Sequence, residues 1–431
     1  MNGISRRSFF QGAALAVSAT RVKGANDRIG VGLIGIGGRG TAHLNSYAAI
    51  EESQILGLCD VNQAARERAQ SRLTSLKSTK AKEYADMRAM FEDKNIDAVS
   101  IATPNHWHAL AAIRACQAGK DVYVEKPASY NIHEGLRVVE VARQTKRMVQ
   151  VGSQSRSVPH VIRAMQLLQD GAIGKVYAAK GLCFKRRKSI GITPAEPVPA
   201  GIDWDQFLGP APMRPFTKNR FAYNWHWFWD TGNGDLGNQG VHQMDICRWG
   251  LGVEMPQSVV STGGKYVYED DQETPNTQLA TYDYGGREII FEVRGLPSGP
   301  EGGVPVKGGN TVGNLFLGSD GWMWNDGSGF QVYKGDSSEK TMDEKSSSGS
   351  AGENSTVLHM KNFLGACRSR DHRQLNADIE IGAVSAALCH LANISYRVGK
   401  RLSWDTAKWK FASDNEADAL LTRNYRRPYV V

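Results

Sequence analysis

The chain lacks the paired cysteines that mark most structural metal sites and disulfide frameworks. Its 431 residues include only six cysteines, and no two of them form a Cys-x-x-Cys pair. Four of the six, Cys59, Cys116, Cys183 and Cys389, stand in apolar or mixed runs, where a cysteine usually packs as a small core residue. The sequence therefore predicts neither a metal site nor a disulfide framework.

Long apolar runs and a strong charge excess are also missing. Beyond the N-terminus, no segment holds the roughly 20 apolar residues that a membrane-spanning helix needs. The net charge of +8 is modest for this length, and the basic residues are scattered. We therefore expect no membrane span and no nucleic-acid partner. The length of 431 residues predicts two or three domains.

The first 27 residues carry a pattern typical of an export signal. Arg6 and Arg7 stand in the run Ser-Arg-Arg-Ser-Phe-Phe-Gln, which resembles a twin-arginine signal. A moderately apolar stretch over residues 12–19 follows, too short to cross a membrane. We expect residues 1–27 to form signal and linker, and the protein to be periplasmic or secreted. A disordered basic tail is the alternative.

Residues 28–60 predict a dinucleotide-binding βαβ unit. The apolar run 29–34 predicts a buried strand, and glycines follow it in Gly-x-Gly-x-x-Gly spacing. A helix is predicted over residues 41–50, then a second strand over 55–58 that Asp60 closes. This context makes the fingerprint specific, because a strand precedes the glycines and a helix follows them. A glycine-rich turn in another α/β protein is the alternative.

The loop residues have distinct expected roles. Gly35 permits the tight turn, Gly37 lets the backbone approach a pyrophosphate, and Gly40 lets the helix pack closely on the strand. The helix N-terminus adds N–H groups and partial positive charge. Asp60 would accept hydrogen bonds from the adenosine ribose and repel a 2′-phosphate, so we expect NAD rather than NADP. The predicted cofactor loop is Gly35, Ile36, Gly37, Gly38, Arg39 and Gly40.

The rest of the chain divides into two patterns. Strands and helices alternate as far as residue 155, which predicts a doubly wound parallel sheet with functional groups at its carboxyl strand ends. Later strand-like runs, at 176–183, 258–262, 278–284 and 288–293, lack regular helices between them and predict a largely antiparallel sheet. Amphipathic helices are predicted at 161–168, 357–368 and 379–398, and loops at 298–309 and 335–356.

Four motifs together resemble the Gfo/Idh/MocA oxidoreductase family, the glucose–fructose oxidoreductase and inositol dehydrogenase group. They are the fingerprint at 35–40, Ala-Thr-Pro-Asn at 102–105 with His108, Glu-Lys-Pro at 125–127, and the glycine-rich segment 232–245 ending in His242-x-x-Asp245. The resemblance covers nearly everything after residue 27. It implies NAD(P), sugar-like substrates and an active site between two domains.

The predicted fold class is α/β. A Rossmann domain over residues 28–155 precedes an α/β domain over 156–431 with a large open, mostly antiparallel sheet. The last helices are expected to pack back on the Rossmann domain. We also expect a homo-oligomer that forms through the open sheet.

Lys126 is the first catalytic residue that the resemblance implies. It stands at a predicted strand end, before a proline that fixes the turn. In the family this lysine lies near the nicotinamide and the reacting hydroxyl. There it can steady an alkoxide or, with a pKa shifted by desolvation, act as acid or base. The alternative is an exposed turn lysine paired with Glu125.

Asn238, His242 and Asp245 form the second catalytic group of the motif. Their i, i+4, i+7 spacing places them on one face of a helix. We expect His242 to take the hydroxyl proton while NAD takes the hydride. The family commonly has aspartate where Asn238 stands, and asparagine cannot act as a base. His242 and Lys126 must then carry more of the proton transfer; a structural histidine is the alternative.

The same resemblance completes the predicted cofactor site. Asn105 is expected to bond the nicotinamide ribose, whereas His108 either touches the ligand or packs locally. The residues that match the family's dinucleotide loop and strand-end pair are Thr103, Pro104, Asn105, His108, Glu125 and Lys126.

Substrate ligands are predicted from both domains. Gln154 follows the last Rossmann strand, and Arg186 lies in a basic run where an arginine could bind a hydroxyl or carboxylate. An aromatic run over residues 223–229 offers ring faces that suit a pyranose, although packing between the domains is the alternative. The predicted substrate site is Gln154, Arg156, Arg186, Trp225, His226, Trp227, Asn238, His242 and Asp245.

Three functions are compatible with these residues. The first is an NAD-dependent dehydrogenase of a sugar, glycoside or cyclitol. The second is an NAD-requiring glycosidase that oxidises a ring hydroxyl transiently, eliminates the aglycone, adds water and reduces the ketone again. The third is a non-catalytic dinucleotide- or sugar-binding protein, which the presence of both Lys126 and His242 disfavours.

Overall fold

The computed structural model describes residues 28–299, 309–346 and 351–431, so the predicted export signal lies outside the described residues. The first domain contains a sheet and its flanking helices. Its elements are β1 (Ile29–Ile34), α1 (Gly38–Ala48), β2 (Ser53–Cys59), α2 (Gln63–Ser75), β3 (Lys82–Tyr84), α3 (Met87–Phe91), β4 (Ala98–Ile101), α4 (Asn105–Gln117), β5 (Asp121–Val124), α5 (Ile132–Thr145) and β6 (Val149–Val151).

The second domain holds the remaining elements, most of them strands. In chain order they are α6 (Pro159–Gln169), β7 (Val176–Phe184), α7 (Trp204–Leu208), α8 (Val241–Leu251), β8 (Ser258–Gly264), β9 (Thr277–Asp283), β10 (Glu288–Arg294), β11 (Thr311–Gly318), β12 (Gly321–Asp326), β13 (Gly329–Lys334), β14 (Glu339–Lys345), α9 (Ala351–Ser369), α10 (Ile379–Val398), β15 (Leu402–Asp405), β16 (Lys410–Phe411) and α11 (Asn415–Asp418).

The first domain is a doubly wound parallel sheet, as predicted. Its six strands are ordered β3-β2-β1-β4-β5-β6, and the order reverses between β1 and β4. β4 and β5 are buried at every position, which explains their continuous apolar character. A ligand crevice is expected where the strand order reverses, outside the carboxyl ends of the strands.

The second domain is built on a ten-stranded sheet, ordered β14-β13-β12-β11-β7-β10-β9-β8-β15-β16. Only β7 and β10 run parallel among its described strands, so the expectation of a mostly antiparallel sheet is confirmed. One face packs against helices, where Phe291 and Phe316 of the sheet share a buried core with Met244 of α8 and Leu388 of α10.

The predicted loop over residues 335–356 is wrong in part. β14 occupies Glu339–Lys345, and α9 begins at Ala351. Among the described strands, β14 pairs only with β13 at the sheet edge. It is largely exposed, so its sequence shows no apolar alternation that would mark a strand.

The last long helices connect the second domain to the first. Phe363 of α9 packs edge to face against Tyr123 of β5, with ring centroids 5.9 Å apart. Arg143 of α5 forms an ion pair with Asp378, the N-cap residue of α10, at 2.5 Å. These contacts join α9 and α10 to the first domain.

None of the helices in the described ranges has the length and apolar character of a membrane span. The described residues likewise contain no cluster of His, Cys, Asp and Glu side chains that could hold a metal ion. All six cysteines are buried as free thiols.

Candidate active site

A cleft of about 820 Å³ lies at the carboxyl ends of β1, β2, β4 and β5. Segments of the second domain close its other side, among them residues 206–207, 221–223 and 225–226. The predicted site residues that line it are Gly35, Gly37, Gly38, Arg39, Asp60, Thr103, Pro104, Asn105, His108, Glu125, Lys126, Trp225, His226 and Asn238. The structure therefore brings most of the predicted cofactor site together in one cleft.

The fingerprint glycines meet different spatial demands. Gly35 has a φ of +78°, and a Cβ there would lie 2.8 Å from the backbone that follows β4. A Cβ on Gly40 would lie 1.9 Å from the carbonyl oxygen of Gly35. Gly37 and Gly38 instead border open space at the N-terminus of α1, which no described side chain caps. The loop therefore presents free N–H groups to the cleft.

Asp60 closes β2 and fastens the glycine loop. Its Oδ2 accepts the N–H of Ile36 at 2.7 Å, and its Oδ1 accepts the N–H of Asn62 at 2.8 Å. Ile36 thus acts through its backbone on Asp60, not by lining the cleft. Burial raises the pKa of Asp60, and the two backbone hydrogen bonds oppose that shift. Carboxylate oxygens accept several hydrogen bonds, so acceptor capacity remains for ribose hydroxyls.

The loop after β4 holds the other half of the predicted cofactor site. The Thr103 hydroxyl is buried without a hydrogen-bond partner among the described residues, which is uncommon and which a ligand would relieve. Asn105 Nδ2 donates to Asn233 Oδ1 of the second domain at 3.2 Å. The His108 ring lies between the carbonyl oxygens of Pro127, at 2.7 Å, and Thr103, at 2.8 Å. His108 therefore ties this loop to the turn after β5.

Glu125 is a buried anchor at the end of β5. Its Oε1 accepts from Arg39 Nε at 2.7 Å and Gln154 Nε2 at 3.0 Å, and lies 3.0 Å from His43 Nε2. Burial alone would raise its pKa, but the charge of Arg39 and the His43 hydrogen bond hold the pKa of Glu125 well below its usual range. Sequence reasoning missed His43, whose only signal was its place on the buried side of α1.

Lys126 reaches from the first domain to the second. Its Nζ donates to the backbone oxygen of Asn238 at 2.8 Å and lies 3.4 Å from Asn238 Oδ1. Burial lowers the pKa of Lys126, while the Glu125 carboxylate opposes that shift. An ammonium has three N–H donors, so one remains for a ligand in the cleft.

A π-helical turn, Leu236–Gly240, positions Asn238 directly before α8. Such turns occur often at functional sites, and the spacing of the motif gave no sign of it. His242, in the first turn of α8, is half-buried and is not among the cleft-lining residues. Burial, together with the charge of Lys126, lowers the pKa of His242 to about 3. Its ring is therefore neutral near pH 7.

Tyr223 and Arg187 lie in the predicted aromatic and basic runs but outside the predicted substrate site, and they extend the Lys126 contact. The Tyr223 oxygen, on the cleft lining, accepts from Asn238 Nδ2 at 3.3 Å and from Arg187 Nη1 at 3.1 Å. Arg187 also forms a two-point ion pair with Asp235 at 2.8 and 2.7 Å. The Tyr223 oxygen accepts both of these hydrogen bonds, so its hydroxyl proton can still be donated to another acceptor.

The aromatic run divides between the cleft and the core. Trp225 stacks on His226 with ring centroids 3.5 Å apart, and both line the cleft. Burial lowers the pKa of His226 to about 3. Trp227, predicted to bind substrate, is buried instead and lies under the Arg187 guanidinium, 5.3 Å from the ring centroid. Its role is packing, the alternative that the sequence left open.

Arg156 and Asp245 lie together but not on the cleft lining. Arg156 donates to both carboxylate oxygens of Asp245, at 2.7 and 2.9 Å, and both residues are buried. Ser385 of α10 adds a hydrogen bond to Asp245 at 2.7 Å. A carboxylate that is neutralised and bonded in this way joins α8 to its neighbours, so we assign the pair a structural role rather than substrate binding.

Gln154 and Arg186 are likewise off the cleft lining. Gln154 Nε2 donates to Tyr123 Oη at 2.8 Å as well as to Glu125, so it orients Glu125 from behind. Arg186 is exposed, with its guanidinium 5.8 Å from the Tyr268 ring centroid. In the basic run it is the next residue, Arg187, that bonds to the cleft-lining Tyr223.

The donors and acceptors of the cleft fit a bound NAD. Uncapped N–H groups at Gly37 and Gly38 suit the pyrophosphate, and the Asp60 carboxylate suits the adenosine ribose. The orphan Thr103 hydroxyl and Lys126 lie further along the same lining.

Two family models match this chain. The NAD-binding Rossmann fold of the oxidoreductase family matches residues 29–153, and the C-terminal alpha/beta domain of that family matches residues 175–293 and 323–431. The chain belongs to the Gfo/Idh/MocA oxidoreductase family. Its first domain is an NAD-binding Rossmann domain, and the predicted fold class and cofactor are confirmed.

Curated relatives of this Gfo/Idh/MocA member include dehydrogenases and glycosidases. Levoglucosan dehydrogenase of Pseudarthrobacter phenanthrenivorans is 28% identical over 287 residues, 64% of this chain and 62% of that protein. A glycosyl hydrolase family 109 protein of Saccharopolyspora erythraea is 27% identical over 264 residues, 60% of this chain. The chain spans 50% of that second relative's length.

Solved structures of the same fold include levoglucosan dehydrogenase in complex with NADH and levoglucosan. Its TM-score is 0.65 at 18% identity, covering 87% of this chain and 99% of that chain. The WlbA dehydrogenase of Bordetella pertussis, in complex with NADH and UDP-GlcNAcA, has a TM-score of 0.64 at 20% identity, covering 88% and 99%. These likenesses confirm the two-domain Gfo/Idh/MocA fold.

We expect the purified protein to carry NAD rather than NADP. The reason is electrostatic, since the Asp60 carboxylate would face the 2′-phosphate of NADP. Denaturing the protein and identifying the released nucleotide by mass spectrometry tests this expectation. Asp60→Ala serves as the matched variant and should tolerate NADP better than the parent does. Finding NADP as the main nucleotide in the parent would overturn the assignment.

Proposed function

We propose that the protein is an NAD-dependent oxidoreductase that acts on a hydroxyl of a sugar, glycoside or cyclitol. The observation that carries this proposal is the contact of Lys126 with Asn238. It joins the end of β5 to the segment before α8 inside the cleft that suits NAD.

The chain's own residues supply the proton handling. Bound NAD supplies the hydride acceptor, and loss of hydride from a C–H bond must be accompanied by loss of the hydroxyl proton. The free N–H of the Lys126 ammonium can hold the substrate oxygen as negative charge develops on it. We assign the proton acceptor to His242 from its place in the family motif. Its ring is neutral near pH 7, and its pKa must rise when substrate binds for the ring to hold the proton, because burial and the Lys126 charge lower that pKa to about 3.

A redox-neutral glycosidase is the second candidate, and Asn238 favours it. An amide at this position cannot take up a proton, so His242 lacks the carboxylate that commonly accompanies it in dehydrogenases of the family. Among the curated relatives, the glycosyl hydrolase family 109 protein of Saccharopolyspora erythraea is described as a glycosidase. In such a reaction the substrate ketone acidifies its neighbouring C–H, the aglycone leaves, water adds and the ketone is reduced, so no net NADH forms.

One experiment separates these functions. The purified protein is incubated with a panel of aryl glycosides and free sugars, while NADH absorbance and aglycone release are followed together. Net NADH supports the dehydrogenase, and aglycone release without net NADH supports the glycosidase. If neither signal appears with any compound, a non-catalytic binding protein is the better description.

We also propose export through the twin-arginine route, which carries folded proteins, often with cofactor already bound. Arg6 and Arg7 support it. Replacing both by lysine should keep the protein in the cytoplasm when the cells are fractionated. Unchanged recovery from the periplasm would show that these arginines are not an export address.

A homo-oligomer through the open sheet is a further part of this proposal. The face opposite the helices carries Leu279, 42% exposed, and the stacked rings of Trp322 and Tyr333. Apolar groups on a sheet face favour burial against a second copy of the chain. Light scattering of the purified protein measures the mass, and a monomer at all concentrations would contradict it.

A further inference from the structure

We propose that Tyr429 is part of the NAD site and slows release of the cofactor. The proposal rests on the use of NAD by this cleft. It assigns a binding role to residues 422–431, the C-terminal segment, in which the sequence shows no motif.

The C-terminal segment runs along the edge of the cleft and is held there by hydrogen bonds. The Arg426 guanidinium donates to the carboxylate of Asp205 in α7 at 2.5 Å and to the carbonyl oxygen of Gly209 at 2.9 Å. Arg114 of the first domain donates to the carbonyl oxygen of Pro428 at 3.2 Å. The segment is thus held by both domains.

Tyr429 reaches the cleft at the end of this path. It is only 5% exposed and lines the cleft together with Met87 and Arg88, which follow β3. Its ring meets Trp107 of α4 edge to face, with centroids 5.3 Å apart, and its hydroxyl donates to Asp205 at 3.1 Å. Trp107 lines the cleft as well, so two aromatic side chains form this part of its wall.

This part of the wall lies at the adenosine end. Lys126 lies at the end of the cleft where the nicotinamide would react. Asp60, the proposed partner of the adenosine ribose, lies at the carboxyl end of β2, which is next to β3 in the sheet. Asp203, just before α7, donates its N–H to the carbonyl oxygen of Val61 at 3.0 Å. The segment to which Tyr429 is fastened therefore lies directly beside the residue after Asp60.

Aromatic rings suit a purine, because stacked or edge-on ring contacts add to simple burial. A cofactor that leaves by its adenosine end must pass the wall that Tyr429 completes. The ring should therefore slow dissociation. A role confined to holding the two domains together makes a different prediction, namely a loss of stability with no change in the rate at which NAD leaves.

The test compares NAD release from the full-length holoprotein and its variants. Each is diluted into a coupled dehydrogenase trap that consumes free NAD, and the loss of bound NAD is followed with time. Tyr429→Ala is expected to release NAD about tenfold faster, the factor that roughly one ring contact is worth. Tyr429→Phe, which keeps the ring and loses only the bond to Asp205, should stay within about twofold of the parent.

Tyr177→Ala, which truncates an exposed tyrosine on β7, is the control and should release NAD at the parental rate. Tyr429→Leu keeps apolar bulk against Trp107 and replaces the alanine variant if that one does not fold; it too should release NAD faster. Release at the parental rate from a folded Tyr429→Ala or Tyr429→Leu variant would overturn the proposal. Failure of the parent itself to hold NAD would instead overturn the proposed function.

Discussion

Replacing Lys126 by alanine is expected to lower turnover by about 100- to 10,000-fold, the usual contribution of a placed acid–base group. The loss follows from the contact of its Nζ with Asn238, which holds the ammonium at the boundary between the domains. Bound NAD and the folded state should persist, because the side chain reaches into the cleft instead of a core. Turnover is measured on whichever substrate the glycoside panel identifies, with bound nucleotide and thermal unfolding recorded in parallel.

His242→Ala should lose activity in the same range, since its neutral ring is the proposed proton acceptor. Lys82→Ala is the matched control, because Lys82 belongs to the same domain as Lys126 and its side chain is 67% exposed. Turnover of either active-site variant within about threefold of the parent would remove that residue from the proton path, since that lies below the range for such a group. If a variant instead loses its bound NAD or unfolds at a lower temperature than the parent, the residue has a structural role.

Gly40→Ala is expected to weaken NAD binding by about 10- to 100-fold. A Cβ would lie 1.9 Å from the carbonyl oxygen of Gly35, and backbone atoms cannot yield as the end of a flexible side chain can. The glycine loop must shift, and overpacking of this kind costs about 1–3 kcal/mol. Where this cost falls on the loop that holds NAD, about 1.4–2.7 kcal/mol of it corresponds to a roughly 10- to 100-fold loss of affinity. Titration of nucleotide-free protein with NAD, followed calorimetrically, measures the change.

Gly365→Ala provides the control for that substitution. Gly365 lies in α9, and a Cβ at this position would meet no neighbouring residue within 4 Å, so alanine should be accommodated and should favour the helix. NAD affinity should equal that of the parent. Equal affinity in Gly40→Ala as well would show that the close approach of α1 to the loop does not matter for the cofactor.

The fold of the first domain can be predicted from the sequence because its apolar runs and its glycine motif indicate the same structure. Buried parallel strands give continuous apolar runs, and the glycine fingerprint stands between β1 and α1. The start of α4 is hard to read: the helix begins at Asn105, before the apolar run that opens at Leu110. The first turn holds His106 and His108, which are buried because their rings bond to backbone carbonyls, and polarity hid them from the pattern.

The second domain is less readable because its long-range contacts decide the structure. The strands β11, β12 and β13 are not predicted from the sequence, although apolar residues face one another across them, as in the Phe316–Met323 and Met323–Val332 pairs. These pairs join separate runs of the chain, so they cannot be read from any one run. Similarly, Arg156 and Asp245 are separated by 89 positions, so their ion pair cannot be inferred from spacing. The motifs did find Lys126 and Asn238, since each stands beside a fixed turn.

The central claim is that the cleft uses its bound NAD to oxidise a carbon of the substrate. A single-turnover experiment tests it most directly, with the holoprotein in excess over a compound that the glycoside panel shows to be consumed. Stopped-flow absorbance then follows the bound nicotinamide. We predict that a reduced nicotinamide signal appears, lasting for a dehydrogenase and transient for a glycosidase, and is absent in His242→Ala. Consumption of the compound with no reduced nicotinamide at any time would contradict the account.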